Sequence, residues 1–89
     1  MDLINIFGKS TRVKVIQFFL ENENIAFKST DISKTVGIAP QSTYKNLYEL
    51  SKEGIVKICG GPYQKFKLNI DLEEVKSLII FYNLINKKL

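Results

Sequence analysis

Apolar residues recur at the three- and four-residue spacing of an amphipathic helix in several stretches of the chain, separated by short polar or glycine-containing segments. The first stretch follows Ser10, a residue type that favours helix N-caps, and predicts a helix over residues 11–21. Its inner stripe contains Val15, Ile16, Phe19 and Leu20. Gly8 separates this helix from the apolar residues 3–7, which we expect to pack as a short turn or helix.

A second, shorter helix is predicted after a brief apolar run at residues 25–27, which itself predicts a very short strand. Ser29 or Thr30 can cap the N-terminus of this helix. Gly37 can end it, because glycine adopts the left-handed backbone conformation common at helix C-termini. The inner face of this two-turn helix contains Ile32 and Val36.

A third helix is predicted to begin at Pro40, because proline lacks only an N–H that is unbonded at the first helical position. This helix ends near Gly54, and its inner face contains Thr43, Leu47 and Leu50. A tight turn containing Gly37 joins it to the second helix, and the two therefore form a helix-turn-helix pattern.

A β-hairpin is predicted after the third helix. Residues 55–59 form a largely β-branched run, and residues 60–62 are Gly-Gly-Pro, which is typical of a turn. Residues 64–69 then alternate between polar and apolar positions, which directs Phe66 and Leu68 toward the core.

The last predicted helix, over residues 72–87, follows a capping box in which Asp71 precedes Glu74 by three residues. Its apolar residues cannot share one stripe, because the run 78–82 turns by about 100° per residue and surrounds the helix. One small domain covers only part of that surface, so we predict that residues 71–89 form a homodimer interface. The residues expected there are Leu78, Phe81, Tyr82 and Ile85, with Leu3, Ile4 and Phe7 nearby.

Charge is unevenly distributed along the chain. At 89 residues the sequence predicts a single domain over residues 1–89, and its formal net charge is +4 at pH 7. Residues 28–67 hold seven lysines and three carboxylates, whereas positive and negative charges cancel in the two flanking segments. An anionic partner would therefore meet the middle of the chain.

The residue types present argue against catalysis. The chain contains no histidine, which removes the commonest general base and the commonest metal ligand. Glu73 and Glu74 would point to different sides of a helix, and the single cysteine, Cys59, lies in an apolar strand context. We therefore expect no enzymatic activity, no metal and no cofactor. The longest apolar run is far shorter than the roughly 20 residues that span a bilayer, so we expect a cytoplasmic protein without a membrane partner.

The order of elements resembles that of winged helix-turn-helix proteins, an α+β fold with a two-stranded wing, here with a long C-terminal helix. Residues 12–19 are similar to the opening helix of the family, and residues 30–38 to its supporting helix. Residues 41–50, followed by 51–56, are similar to archaeal and bacterial regulators of the ArsR and MarR type. This resemblance implies double-stranded DNA as the partner and transcription regulation as the function.

The small size and the Lys/Ile/Asn-rich composition are also similar to those of compact winged-helix proteins of crenarchaea and their viruses. Two features depart from the family pattern. Thr43 stands where the family usually has an aliphatic core residue, and the cysteine and histidine ligands of metal-sensing members are absent. Metal sensing is therefore not implied.

The third helix carries polar side chains suited to a DNA major groove on the face opposite its apolar stripe. We predict DNA contacts from Gln41, Ser42, Tyr44, Lys45, Tyr48 and Lys52. Glutamine can read adenine, lysine can bond guanine or a phosphate, and serine and tyrosine can bond phosphates. The two tyrosines could alternatively be half-buried packing residues. In the hairpin, Tyr63, Lys65 and Lys67 are predicted to contact the phosphate backbone or the minor groove.

A protein-interaction adaptor is the alternative function, because winged helices also serve as modules in larger assemblies. An apolar third helix would indicate that role. Here the third helix is polar and basic on its outer face, which favours sequence-specific DNA binding.

Overall fold

Six elements follow one another along the chain in the predicted order. The computed structural model describes residues 6–60 and 63–86. These form four helices and a two-stranded antiparallel sheet: α1 (Thr11–Glu21), α2 (Ser29–Val36), α3 (Pro40–Lys52), β1 (Val56–Cys59), β2 (Lys65–Leu68) and α4 (Glu73–Ile85). The predicted α+β class is therefore confirmed, and the order is compatible with a winged helix. The predictions for residues 1–5, 61–62 and 87–89 lie outside the described residues.

The observed helix caps confirm some of the helix starts predicted from the sequence and contradict others. The Ser10 hydroxyl accepts a hydrogen bond from the Val13 N–H at 3.2 Å, as predicted for the start of α1. For α2 the predicted cap at Ser29 or Thr30 is wrong. The N-cap is Lys28, without a side-chain hydrogen bond, because α2 already begins at Ser29.

The predicted capping box of α4 is also wrong. The helix begins one residue later than expected, with Leu72 as N-cap and no side-chain cap hydrogen bond. Asp71 is held in the preceding turn, where its N–H donates to Asn69 Oδ1 at 3.3 Å. Its carboxylate accepts a hydrogen bond from Lys57 Nζ at 3.1 Å. The Asp71 side chain thus forms an ion pair with a residue distant in sequence and does not cap α4.

The turn between α2 and α3 is held by two hydrogen bonds to Ser33 of α2. Gly37 ends α2 with a φ of 77°, and its N–H donates to the Ser33 carbonyl oxygen at 2.9 Å. The buried Ser33 hydroxyl donates to the Ile38 carbonyl oxygen at 2.7 Å. Since a Cβ at Gly37 would meet no atom within 4 Å, the left-handed backbone is what favours glycine there.

The sheet places β1 beside β2 in a simple register, with Val56 opposite Leu68 and Cys59 opposite Lys65. On the other edge of β2, the predicted strand at residues 25–27 is reduced to a single bridge between Phe27 and Phe66. Two hydrogen bonds form this bridge, from the Phe27 N–H to Phe66 at 2.9 Å and from the Phe66 N–H to Phe27 at 2.7 Å. The hairpin is thereby joined to the segment that connects α1 to α2.

The core lies where α1, α2 and α3 meet the inner face of the hairpin and the first half of α4. Its fully buried large side chains are Val15, Phe19, Ile32, Leu47, Leu50, Leu68, Phe66 and Val75. Burying each such side chain stabilises the fold by about 1.5–3 kcal/mol. Thr43 is also fully buried, and its hydroxyl donates to the Ala39 carbonyl oxygen at 3.0 Å. An ion pair between Arg12 and Glu53 joins α1 to the C-terminal end of α3.

Candidate nucleic-acid interface

The outer face of α3 is polar and open to solvent. Its inner face is buried as predicted, with Thr43, Leu47 and Leu50 in the core. All six residues of α3 predicted to bind DNA are exposed: Gln41, Ser42, Tyr44, Lys45, Tyr48 and Lys52. The helix thus offers one amide, one hydroxyl, two phenol and two ammonium groups on the side away from the core.

An open groove of about 650 Å³ runs between α3 and the hairpin. Tyr48 and Lys52 line it from α3, and Ile58 and Gln64 line it from the hairpin. The Lys52 ammonium lies 4.7 Å from the centroid of the Tyr48 ring, a cation–π geometry. The groove therefore combines a positive charge, an aromatic face and an amide, which are groups that bind phosphates and base edges.

Tyr44 is a half-buried packing residue, as the alternative considered for it predicts, and keeps one side exposed. Its ring packs edge-to-face against Phe66 of β2, with the centroids 6.4 Å apart and the planes at 87°. About half of the residue remains exposed. Tyr44 consequently helps to hold α3 against the hairpin while its other side faces solvent.

Tyr63 contacts a residue that the sequence did not single out. The Lys28 ammonium lies 4.3 Å from the centroid of the exposed Tyr63 ring. Lys28 precedes the first residue of α2, so this contact brings the N-terminus of that helix and the hairpin together. Its place in the basic middle of the chain, immediately before a predicted helix, was the one signal that could have identified it.

The two predicted lysines of the hairpin do not line the groove. Lys65 and Lys67 alternate with the buried Phe66 and Leu68, so they lie on the other face of the strand. Lys65 is exposed, whereas Lys67 is only partly exposed and lies opposite Lys57. Like charges at opposite positions of a sheet repel each other. The ion pair between Lys57 and Asp71 reduces that repulsion.

Several lysines on and near α3 form no ion pair within the described residues, although the exposed Glu49 lies on the same helix. Within residues 6–60 and 63–86, the ion pairs are Arg12–Glu53, Lys57–Asp71 and Lys76–Glu73. Lys45, Lys52 and Lys65 form none of them. Their ammonium groups are therefore available to an anionic partner. In the same part of the chain, no three His, Cys, Asp or Glu side chains are grouped so as to hold a metal ion.

The outer face of α4 is a second, apolar surface. Three of the four predicted interface residues, Leu78, Tyr82 and Ile85, are partly buried against the core of their own domain. Phe81 is exposed, and its ring lies 6.1 Å from that of the exposed Phe7. The most exposed apolar residues of the helix are Ile80 and Leu84, at 62% and 65% exposure. Within the described residues, no helix has the length and apolar character needed to cross a membrane.

Comparison with known proteins finds no family model that matches the chain and no curated protein that is significantly similar to it.

Proposed function

We propose that this protein is a winged-helix transcription regulator of the cytoplasm that binds double-stranded DNA sequence-specifically and has no enzymatic activity. The observation that carries the proposal is the exposed stripe of Gln41, Lys45, Tyr48 and Lys52 on α3, whose lysines have no carboxylate partner among the described residues. A 13-residue helix is about 20 Å long, and the major groove, about 12 Å wide, admits one α-helix. Helix α3 is accordingly the element that enters the groove.

The residues near the start of α3 are assigned to base contacts. Gln41 reads adenine through its amide, and Lys45 bonds guanine or a phosphate. Ser42 bonds a phosphate or a base edge. Tyr44 keeps its contact with Phe66 and presents its hydroxyl to a phosphate or its ring to a thymine methyl group.

The remaining cationic residues are assigned to the phosphate backbone. Lys52 lies on the groove between α3 and the hairpin and contacts phosphates without reading sequence. Tyr63, Lys65 and Lys67 of the hairpin contact the backbone or the adjacent minor groove, with Lys65 the more exposed of the two lysines. Lys28, beside Tyr63, is added to this set.

A homodimer through α4 is part of the same proposal. The apolar Ile80, Phe81 and Leu84 are exposed on the outer face of this helix. Leaving them in water forgoes roughly 1.5–3 kcal/mol for each side chain that a partner could cover fully. Two copies would present two α3 helices to half-sites about 34–36 Å apart, or a multiple of that distance, which favours a near-palindromic operator.

The test is binding of the isolated protein to labelled duplexes over a series of salt concentrations, followed by selection of bound duplexes from a random pool. We expect the affinity to fall steeply with salt and the selected sequences to contain a two-fold symmetric site. A folded protein that binds no duplex at low salt would refute the proposal and favour the adaptor function.

A further inference from the structure

A group of lysines lies on the outer face of the sheet, the face turned away from the core. Lys65 and Lys67 alternate with the buried Phe66 and Leu68, so their side chains lie on this face. Lys57 stands directly opposite Lys67 in the register. Residues at opposite positions of an antiparallel pair have Cβ atoms about 4.5–5.5 Å apart on one face of the sheet. The two strands therefore contribute lysines to the same surface.

Lys28 extends this surface beyond the other edge of β2. The antiparallel bridge between Phe27 and Phe66 brings the residue after the first beside the residue before the second. These two residues are Lys28 and Lys65. Lys28 is extended, with φ −74° and ψ 151°, and Phe27 packs against the core, so the Lys28 side chain lies on the outer face. Its ammonium group lies 4.3 Å from the ring centroid of Tyr63, two residues before Lys65.

We call Lys28, Lys57, Lys65 and Lys67 the lysine face. Among the described residues, Asp71 is the one carboxylate that forms an ion pair with it, at Lys57. Three of the four ammonium groups thus have no ion pair within residues 6–60 and 63–86. The fold gathers these charges from two strands and the α1–α2 connection, although like charges side by side repel each other. Such a surface is complementary to a chain of phosphates.

The lysine face is continuous with the groove beside α3. In the described part of the chain β1 is the edge strand, since β2 pairs with β1 on one side and with Phe27 on the other. Lys57 of β1 borders the groove and also lies opposite Lys67. Lys52 lines the same groove from α3. Positive charge therefore runs from α3 past the edge of β1 and onto the outer face of the sheet.

We propose that the lysine face binds the phosphate backbone of the DNA that flanks the segment seated at α3, and that the duplex bends toward the hairpin to reach it. Side chains on the two faces of a sheet point in opposite directions, so a straight duplex in the groove leaves the far side of the lysine face, at Lys28, without phosphates. Bending costs free energy, which the added phosphate contacts offset. This inference rests on the proposed function and adds to it the path of the DNA beyond the recognised segment.

Duplex length tests the flank contacts. The probe is a duplex recovered by the selection described above, either trimmed to the selected site or extended on each side by about 20 base pairs, two helical turns. For the unmodified protein, the slope of log affinity against log salt should be steeper by about 2–3 per protomer on the extended duplex. The reason is that each phosphate contact adds about 0.9, and three lysines lie beyond the groove.

Two double variants identify the lysines responsible. Lys28→Gln with Lys65→Gln removes the two members of the lysine face on the side away from the groove. This variant should lower the slope by about 1.8 per protomer on the extended duplex and leave the slope on the trimmed duplex unchanged. The matched control, Lys9→Gln with Lys14→Gln, removes two lysines at and before α1 that form no ion pair among the described residues, and should change neither slope. Circular dichroism verifies that both variants are folded.

Gel mobility tests the bend itself. The selected site is placed at the centre or near one end of an otherwise identical fragment of about 150 base pairs, one persistence length. A bent complex migrates more slowly when the bend is central. We expect this retardation for the unmodified protein and for Lys9→Gln with Lys14→Gln, and a smaller retardation for Lys28→Gln with Lys65→Gln.

The outcomes separate this inference from the proposed function. Equal salt slopes on the two duplexes, or a mobility independent of the position of the site, would overturn the bent path and leave DNA binding at α3 in place. An equal effect of Lys28→Gln with Lys65→Gln on both duplexes would also overturn it, because these lysines would then contact the recognised segment itself. A folded protein that binds neither duplex would refute the proposed function and, with it, this inference.

Discussion

Replacing Lys52 by glutamine removes one positive charge from the groove beside α3. Each phosphate contact contributes about 0.9 to the slope of log affinity against log salt, which corresponds to about eightfold, or roughly 1.2 kcal/mol, at 0.1 M salt. The affinity lost is smaller, because Lys52 already rests 4.7 Å from the Tyr48 ring in the free protein. Leaving a cation–π contact at an exposed site costs about 0.5–1 kcal/mol.

The two effects separate in one experiment. We expect the slope to decrease by about 0.9 for each protomer bound, while the affinity per protomer falls only about 1.5- to threefold at 0.1 M salt. Fluorescence anisotropy of a labelled duplex over a salt series measures both quantities. Lys14→Gln is the control, because this lysine of α1 also lacks a carboxylate partner but lies beside α2, away from the groove.

An equal change in slope for Lys14→Gln and Lys52→Gln would refute the phosphate contact of Lys52, since the charge effect would then be independent of position. An unchanged slope for Lys52→Gln would refute this contact as well. A decrease in slope together with the full loss of affinity, about eightfold, would show that Lys52 keeps its contact with Tyr48 when DNA is bound.

Three further predictions concern the recognition helix, the core and the wing. Gln41→Ala should reduce discrimination at one base pair by about 1–3 kcal/mol with the salt slope unchanged; an unaltered base preference in selected duplexes would contradict base reading by α3. Thr43→Val should change the free energy of unfolding in urea by less than about 1 kcal/mol, because the Ala39 carbonyl also accepts the Thr43 N–H at 3.0 Å; a loss above about 2 kcal/mol would show that the hydroxyl is required. Lys65→Ala with Lys67→Ala should reduce the salt slope by more than about 0.9 but less than about twice that value, because Lys67 is only partly exposed; an unchanged slope would show that the wing does not contact DNA.

Periodic burial made most of the fold predictable from sequence. The inner stripe of α3 is regular, so its buried residues follow from spacing alone. In α1 spacing also placed the helix, but it missed the buried Phe18 and assigned to the core Ile16, which is only partly buried. Ser10 and Pro40 act locally, within one helical turn, and the helix starts that they predicted are confirmed. Interactions between residues a few positions apart could be predicted because both partners lie in one short segment of the sequence.

Contacts between distant segments decided the features that sequence did not predict. Asp71 is drawn to Lys57, 14 residues away, and so does not cap α4. Lys28 meets Tyr63 only because the hairpin folds back beside α2. Helix α4 is apolar on nearly all sides, so spacing could not distinguish the inward Leu78 from the outward Leu84. Which side of α4 faces the core depends on where the end of the hairpin places the start of this helix.

The bridge between Phe27 and Phe66 has a mechanical consequence. Because β2 is bonded to β1 on one edge and, at Phe66, to the α1–α2 connection on the other, these hydrogen bonds oppose a swing of the hairpin relative to the helices. For a duplex bound as proposed, the distance between α3 and the wing is already set before the protein contacts DNA. The DNA must then adjust its groove width to the protein. Sequences whose shape already fits cost less to deform, so base pairs that no side chain touches would also influence operator choice.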